Sequence, residues 1–242
     1  MNLFVSVSGG LDSTALAILM AENKKAKFIF ADTGDEFPQV HNHLDNMERV
    51  LNISITRVQN KKYSLKEYEI ARKFFPSPRA RYCTRIFKIK PIEEYMEIFA
   101  PFQLAIGLRY DETGRTGNIS DYAIYPLQDK KMVRDDVYEL CNDYGLVPEY
   151  PWYMSRGGCY SCFFKSRAEL LALAKHEPKL FNDLIYREET IQKSRGDNYL
   201  MFDRFKKNPL RRVKEMVDSK IANFEQIPMT YNTGQCGIFC RK

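Results

Sequence analysis

Short apolar runs alternate with longer amphipathic stretches through the first half of the chain. Leu3-Phe4-Val5-Ser6-Val7 comes first, and an apolar-periodic stretch over 13–23 follows. The alternation continues with a run at 27–31, an amphipathic stretch over 38–51 and a run at 53–58, and further strand-like segments lie at 103–108 and 122–127. Apolar runs of roughly four to eight residues suit buried strands, whereas apolar positions three and four apart suit one face of a helix. Their alternation predicts the α/β class: a doubly wound, mostly parallel, five-stranded sheet with helices on both faces. The polar, glycine-bearing stretch 109–121 reads as a loop at a strand's carboxyl end, where open α/β sheets bind ligands.

Beyond Pro126 the texture changes. A helix predicted over 134–144 stops at Gly145, and an aromatic, proline-bearing linker at 147–158 leads to two cysteines. This divides the chain into an α/β domain at 1–147 and a helical, cysteine-bearing region at 148–242. Ser166-Arg167-Ala168-Glu169 has capping-box spacing ahead of an apolar run, so a helix starts shortly after Cys162. The mixed basic stretch 194–220 shows no clear period.

With 44% hydrophobic and 28% charged residues among 242, the chain can bury a real core, which excludes disordered and fibrous classes. No stretch approaches the ~18 apolar residues of a membrane span, and the apolar run at 3–7 is too short for a signal peptide. The expectation is a cytoplasmic protein without membrane contact. Lys and Arg outnumber Asp and Glu by 37 to 31, a net +6 that suits an anionic partner, nucleotide or nucleic acid. Six cysteines without an export signal point to metal or redox chemistry more than to disulfides.

Ser8-Gly9-Gly10-Leu11-Asp12-Ser13-Thr14 joins the first strand to the first helix. Two glycines allow a tight turn with free amides, and Ser13 and Thr14 add hydroxyls beside the positive helix end, the makings of a pyrophosphate cradle. The Walker lysine is missing. The string resembles the PP-loop of the ATP pyrophosphatase superfamily, whose members cleave ATP between the α- and β-phosphates or bind adenylyl sulfates. Asp32-Thr33-Gly34-Asp35-Glu36-Phe37-Pro38 is similar to the DTG-x-x-FP segment of the phosphoadenosine phosphosulfate (PAPS) reductase branch. Cys83-Thr84-Arg85 with Lys88 and Pro91 resembles that branch's CTR-x-x-K-x-x-P stretch, and Gly107, Arg109, Asp111, Glu112 and Arg115 match its G-x-R-x-DE-x-x-R loop.

The resemblance covers about 2–184 and implies an adenine nucleotide alpha hydrolase-like fold. It implies that Ser8, Gly9, Gly10, Asp12, Ser13 and Thr14 hold pyrophosphate oxygens, with Asp12 the indirect partner of Mg2+. Asp32, Thr33 and Gly34 would line the adenosine pocket. Arg85, Lys88, Arg109 and Arg115, with Gly107, would orient phosphate, sulfate or departing pyrophosphate, so the ligand is ATP or adenylyl sulfate.

Cys159-Tyr160-Ser161-Cys162 can bind one metal or form a redox disulfide. Cys141 falls with Val137 and Leu140 on an apolar helix face and reads as core. Spacing alone does not separate zinc from an iron-sulfur cluster. The resemblance implies a [4Fe-4S] cluster on Cys83, Cys159 and Cys162, completed by Cys240 or Cys236, with Zn2+ as the alternative. Cluster-bearing adenylyl-sulfate reductases have adjacent cysteines where this chain has Tyr82-Cys83. The tail Gln235-Cys236-Gly237-Ile238-Phe239 resembles the reductases' catalytic ECGIH ending without its acid and histidine.

Three functions follow as expectations. The first is an ATP-using enzyme that adenylates a substrate, for sulfur transfer, as in DNA phosphorothioation proteins of this branch, with a sulfur-donor protein as partner. The second is a reductase acting on adenylyl sulfate or PAPS through Cys236. The third is a nucleotide-sensing or nucleic-acid-binding module using the basic stretch 204–212. His41 and His43, in the second helix, and His176 read as surface residues. Asp111 and Glu112 would diverge in an extended segment, unless they bind metal or pair with Arg115.

Overall fold

The computed structural model of the chain describes residues 1–115, 121–154, 158–202 and 208–219, with side chains except at 113–115. Five strands form one parallel sheet: β1 (Asn2–Val7), β2 (Ala26–Ala31), β3 (Ile55–Val58), β4 (Phe102–Ala105) and β5 (Ala123–Ile124), in the order β3-β2-β1-β4-β5. Val5 sits in register with Phe28 on one side and with Ala105 on the other.

Side-chain alternation sorts the strands between two apolar layers. Phe4, Ile29 and Leu104 face one layer; Val5, Phe28, Phe30 and Ala105 face the other. The first layer is closed by helix α5 (Lys90–Glu97) through Ile92 and Met96. The second is closed by α1 (Leu11–Met20) and α2 (Pro38–Leu51), whose Val40, Leu44 and Met47 recur at helical spacing. Between them in the chain come α3 (Leu65–Arg72), with a Ser64/Glu67 capping box, then α4 (Tyr82–Thr84) and a π-helical turn Arg85–Ile89.

After β4 come a 3-10 segment Tyr110–Arg115, then β5, α6 (Pro126–Asp129) and α7 (Arg134–Asp143), which packs on α1. The predicted capping box is present: Ser166 caps α8 (Arg167–His176) and its hydroxyl accepts from the Glu169 amide at 3.2 Å. Then follow α9 (Pro178–Arg195) and α10 (Leu210–Asp218), which lies inside the stretch that showed no clear period. The second apolar layer continues into these helices through Leu173, Phe181, Leu184 and Val213. Cys141 is fully buried in that layer. No helix among the described residues is long and apolar enough to cross a membrane.

Several boundaries differ from the sequence expectation, among them the strand expected over 122–127, which is cut to Ala123–Ile124 because α6 starts at Pro126. Helix α1 starts at Leu11, two positions before Ser13, because Gly10 takes the N-cap. The strand expected over 103–108 ends at Ala105, where the chain turns toward the loop between β1 and α1. The stretch 109–121 is not wholly loop, since Tyr110–Arg115 winds into the 3-10 segment.

Candidate functional site

Strand order reverses at β1, so the loops leaving β1 and β4 open on one crevice at their carboxyl ends. The β1 loop is built by its own hydroxyls. Gly9 has φ +71°, and a Cβ there would lie 2.8 Å from Val40 Cγ1. The Ser13 hydroxyl accepts from the amides of Ser8 (3.0 Å) and Gly10 (3.2 Å) and donates to the Gly10 carbonyl at 2.9 Å. The Thr14 hydroxyl donates to the same carbonyl at 2.9 Å and shares a 2.9 Å hydrogen bond with His43 Nε2.

Ser13 and Thr14, expected as donors to a ligand, are therefore buried braces of the loop. The amides of Leu11, Asp12 and Ser13 stand in the first turn of α1, which a helix cannot satisfy internally. His43 is likewise not a surface residue: it is buried, and burial lowers its pKa from 6.5 to about 4. Tyr150 donates to the Gly9 carbonyl from the far side at 2.5 Å.

The β4 loop closes on this turn. A Cβ at Gly107 would lie 2.9 Å from the Asp12 carbonyl oxygen, so glycine is the residue that lets the two backbones meet. Arg109, 8% exposed, reaches across the crevice: its Nη1 bonds both oxygens of Asp12 at 2.8 and 2.9 Å. Its Nε and Nη2 fork onto Asp111 at 2.9 and 3.3 Å, and Glu112 lies 3.8 Å from Nη1. Asp111 and Glu112 thus converge on Arg109 because the segment is 3-10 helical and not extended. Burial raises the Asp12 pKa against the opposing pull of Arg109.

At the end of β2, Asp32 accepts from the Gly34 amide and from Gln59 Nε2, both at 2.8 Å. Asp32, Thr33 and Gly34 line a cleft of about 290 Å³ together with Gln59, Tyr63 and Phe87. Behind it, the paired-cysteine turn adds itself to the loop edge. The Phe37 amide donates to the Gly158 carbonyl (3.0 Å) and the Tyr160 amide to the Asp35 carbonyl (2.8 Å), with Glu36 bridged to Cys159. Arg187 of α9, 1% exposed, locks the junction by forking onto Asp35 with both bonds at 2.7 Å while also bonding Glu69 at 3.0 Å.

Cys83, Cys159 and Cys162 line one small pocket, whose walls include Thr33, Arg81 and Lys88. Thr33 belongs to both cavities. The Cys159 thiol faces Glu36 at 3.5 Å, and burial pushes its pKa well above the usual thiol value while Lys88 pulls it down. Lys88 opposes burial in the same way at Glu36 and at Tyr150, so one ammonium acts on the thiol, the β2 loop and the tyrosine braced on Gly9.

The structure thus gathers Ser8, Gly9, Gly10, Asp12, Ser13, Thr14, Gly107 and Arg109 at one crevice. It gathers Asp32, Thr33 and Gly34 with Lys88 and the three cysteines next to it. Arg85 stands apart on an exposed position of the π-helical turn. The Arg115 side chain, Cys236 and Cys240 lie outside the described residues. So does 203–207 of the basic stretch. His43, Glu36, Tyr150 and Arg187 were missed as site residues. His43 shares a helix face with Val40, Leu44 and Met47, and Arg187 shares one with Leu184 and Ile191, a signal readable from spacing. Among the described residues, Asp32, Glu36 and His41 are the three metal-type ligands within 4.8 Å of one another, with both carboxylates already hydrogen-bonded.

The family model described as the phosphoadenosine phosphosulfate reductase domain matches residues 2–132, just over half of the chain. Two uncharacterized proteins of Methanocaldococcus jannaschii are similar. MJ0066 is 32% identical over 99 residues, 39% of this chain and 20% of its own length. MJ0973 is 26% identical over 190 residues, 73% of this chain and 45% of its own length. The chain therefore spans less than half the length of either relative. Among solved structures, a PAPS reductase from Candida auris in a phosphate complex aligns with TM-score 0.46 and 17% identity, over 60% of this chain and 73% of that one. An NMN synthetase from Francisella tularensis aligns with TM-score 0.47 and 11% identity, over 94% and 89%.

Proposed function

Because the chain belongs to the phosphoadenosine phosphosulfate reductase domain family, and its β1 loop presents helix amides to a crevice, we propose that it binds ATP and adenylates a substrate for sulfur transfer. The observation that carries this reading is the closure of the Gly107–Arg109 segment over the first turn of α1, which puts a guanidinium, a carboxylate and open helix amides at one point. In the proposed step an acceptor oxygen or sulfur attacks the α-phosphorus, the bond to the bridging oxygen breaks, and pyrophosphate leaves with the electron pair. The amides of Leu11, Asp12 and Ser13 and the Arg109 guanidinium would face the oxygens on which charge develops.

Asp12 would be the indirect partner of Mg2+, since a carboxylate oxygen is the hard donor that this ion prefers. When bound, Mg2+ would neutralise charge on the departing pyrophosphate. Adenosine would occupy the cleft at Asp32–Gly34, with the rings of Tyr63 and Phe87 in its walls. Cys83, Cys159 and Cys162 supply three soft donors in one pocket beside Lys88 and Arg81, which suits a [4Fe-4S] cluster or Zn2+. A further ligand from Cys236 or Cys240, a sulfur-donor protein and a nucleic-acid acceptor remain part of this proposal.

Labelled ATP incubated with the full chain tests it. Pyrophosphate release that stops in D12N is the expected result. Sulfite release from PAPS without ATP turnover, abolished by C236S, would instead establish the reductase reading and overturn adenylation.

A further inference from the structure

Residues 61–90 carry ten Lys and Arg against two Asp and Glu, a surplus of eight where the whole chain has six. Lys66 and Lys90 are taken up by Asp183 and Glu94. Lys61, Lys62, Arg72, Lys73, Arg79 and Arg85 are exposed, and among the described residues none of these six is paired with a carboxylate. By contrast Arg211 and Arg212, in the basic stretch 204–212, are paired with Glu189 and Glu215. The concentration of positive charge thus lies around α3 and the π-helical turn.

Aromatic rings thread this surface. Tyr63, Tyr68, Tyr82, Phe74 and Tyr199 form one ladder, with successive centroids 6.0, 5.2, 6.3 and 6.0 Å apart. Lys62 stands over Tyr63 at 5.3 Å, Arg72 over Tyr68 at 5.4 Å and Arg195 over Tyr199 at 4.3 Å. Phe74 is 37% exposed, so its ring has a face open to a partner. The frame is held without one: the Tyr82 hydroxyl donates to the Phe74 carbonyl, and Lys73 Nζ donates to the Ser194 carbonyl at 2.9 Å. Tyr63 lines the 290 Å³ cleft with Lys61 and Lys62, while Arg81 and Cys83, on either side of Tyr82, line the cysteine pocket. A strand laid along the ladder passes both cavities.

Cations interleaved with rings match a chain that offers phosphates and unstacked bases together. A duplex keeps its bases stacked and leaves the rings without a partner, and an acidic peptide uses the cations alone. The one exposed carboxylate of the segment separates ribose from deoxyribose. Glu67 lines the cleft beside Lys61 and Lys62, and the Ser64 amide and hydroxyl hold its carboxyl below the usual range, so it stays charged. On a phosphate track such a group repels, but it accepts from a 2′-hydroxyl.

We propose that this face binds single-stranded RNA, with bases against the ring ladder and phosphates against the exposed Lys and Arg. The surface gives a form to the nucleic-acid acceptor in the function proposed above; the acceptor role rests on that reading, whereas the binding needs no ATP.

The test follows the fluorescence anisotropy of a labelled oligouridylate of about twelve nucleotides, titrated with the full chain without ATP. Affinity should fall at least tenfold between about 50 and 200 mM salt. K73Q combined with R79Q should weaken binding at least fivefold and flatten the salt dependence, because phosphate contacts are lost. F74A should weaken it at least threefold and leave the salt dependence unchanged, because a stacking face is lost. Unchanged affinity in either variant, with circular dichroism confirming the fold, overturns the proposal. Should F74A not fold, F74L keeps the apolar bulk without the ring and should show the same loss; no loss in F74L overturns the proposal. The matching oligodeoxyuridylate should bind at least threefold more weakly, and an oligouridylate–oligoadenylate duplex at least tenfold more weakly. Equal binding of the deoxy strand overturns the assignment to RNA, and equal binding of the duplex overturns the single strand. Polyglutamate that competes as well as unlabelled oligouridylate overturns RNA in favour of an acidic protein. Oligouridylate binding by a chain that releases no pyrophosphate from ATP overturns adenylation and upholds the RNA surface.

Discussion

His43 braces the β1–α1 turn through its bond to Thr14, and burial favours its neutral form. Unfolded, the ring takes up a proton below about pH 6.5; folded, it resists until about pH 4. The stabilisation it contributes is full above the unfolded value and is lost as pH falls through that window. At roughly 1.4 kcal/mol per pH unit, the loss approaches about 3 kcal/mol. Urea unfolding at pH 7 and pH 5 should show this slope, and H43Q should flatten it. Gly9 offers a second residue-scale test. Its positive φ and the contact with Val40 both oppose a side chain, so G9A should cost about 1–3 kcal/mol by urea unfolding and weaken nucleotide binding. The string around Gly9 was legible because glycine, serine and aspartate at a strand-to-helix junction carry a mechanism. The inward turn of Ser13 and Thr14 was not, because a hydroxyl beside a helix end serves a ligand or its own loop with the same sequence.

Between elements, the decisive contact is Arg187 of α9 with Asp35 of the β2 loop and Glu69 of α3. Burial pushes the Glu69 pKa up, with Arg187 opposing it. R187M should leave Asp35 and Glu69 buried without their cation and lower stability by about 3–5 kcal/mol, measured by urea unfolding. The same variant should loosen the paired-cysteine turn, since Ser161 and Tyr160 also bond within this knot. Helix spacing predicted most elements, but β4 stops short of its apolar run because backbone contact at Gly107 takes precedence over pairing with the two-residue β5. Spacing puts Arg187 on the apolar face of α9, but its partners Asp35 and Glu69, 152 and 118 positions away, are displayed by no local pattern.

At the scale of the molecule, the apolar layer on one side of the sheet runs from Val5 and Ala105 through α1 and α7 into Leu173, Phe181 and Val213. Sheet and carboxyl-terminal helices therefore share one core, and they should unfold together. Far-ultraviolet circular dichroism and the fluorescence of the single tryptophan, Trp152, should give coincident urea transitions; separate midpoints would show two units. The sheet class was legible from alternation alone, whereas the strand order that puts the first loop at its switch was not. The joining of α8 to α10 onto the same layer was not, because their apolar residues look alike whichever surface they cover.

The long reach of Arg187 also orders events on the ribosome. Strands β1 and β2 emerge early, while the helix that clamps Asp35 is made some 152 residues later. A nascent chain can hold its sheet well before its β2 loop is secured, and the pocket wall is finished late in synthesis. Chains arrested ahead of Arg187 should therefore exchange the amide protons of 33–37 far faster than those of β1.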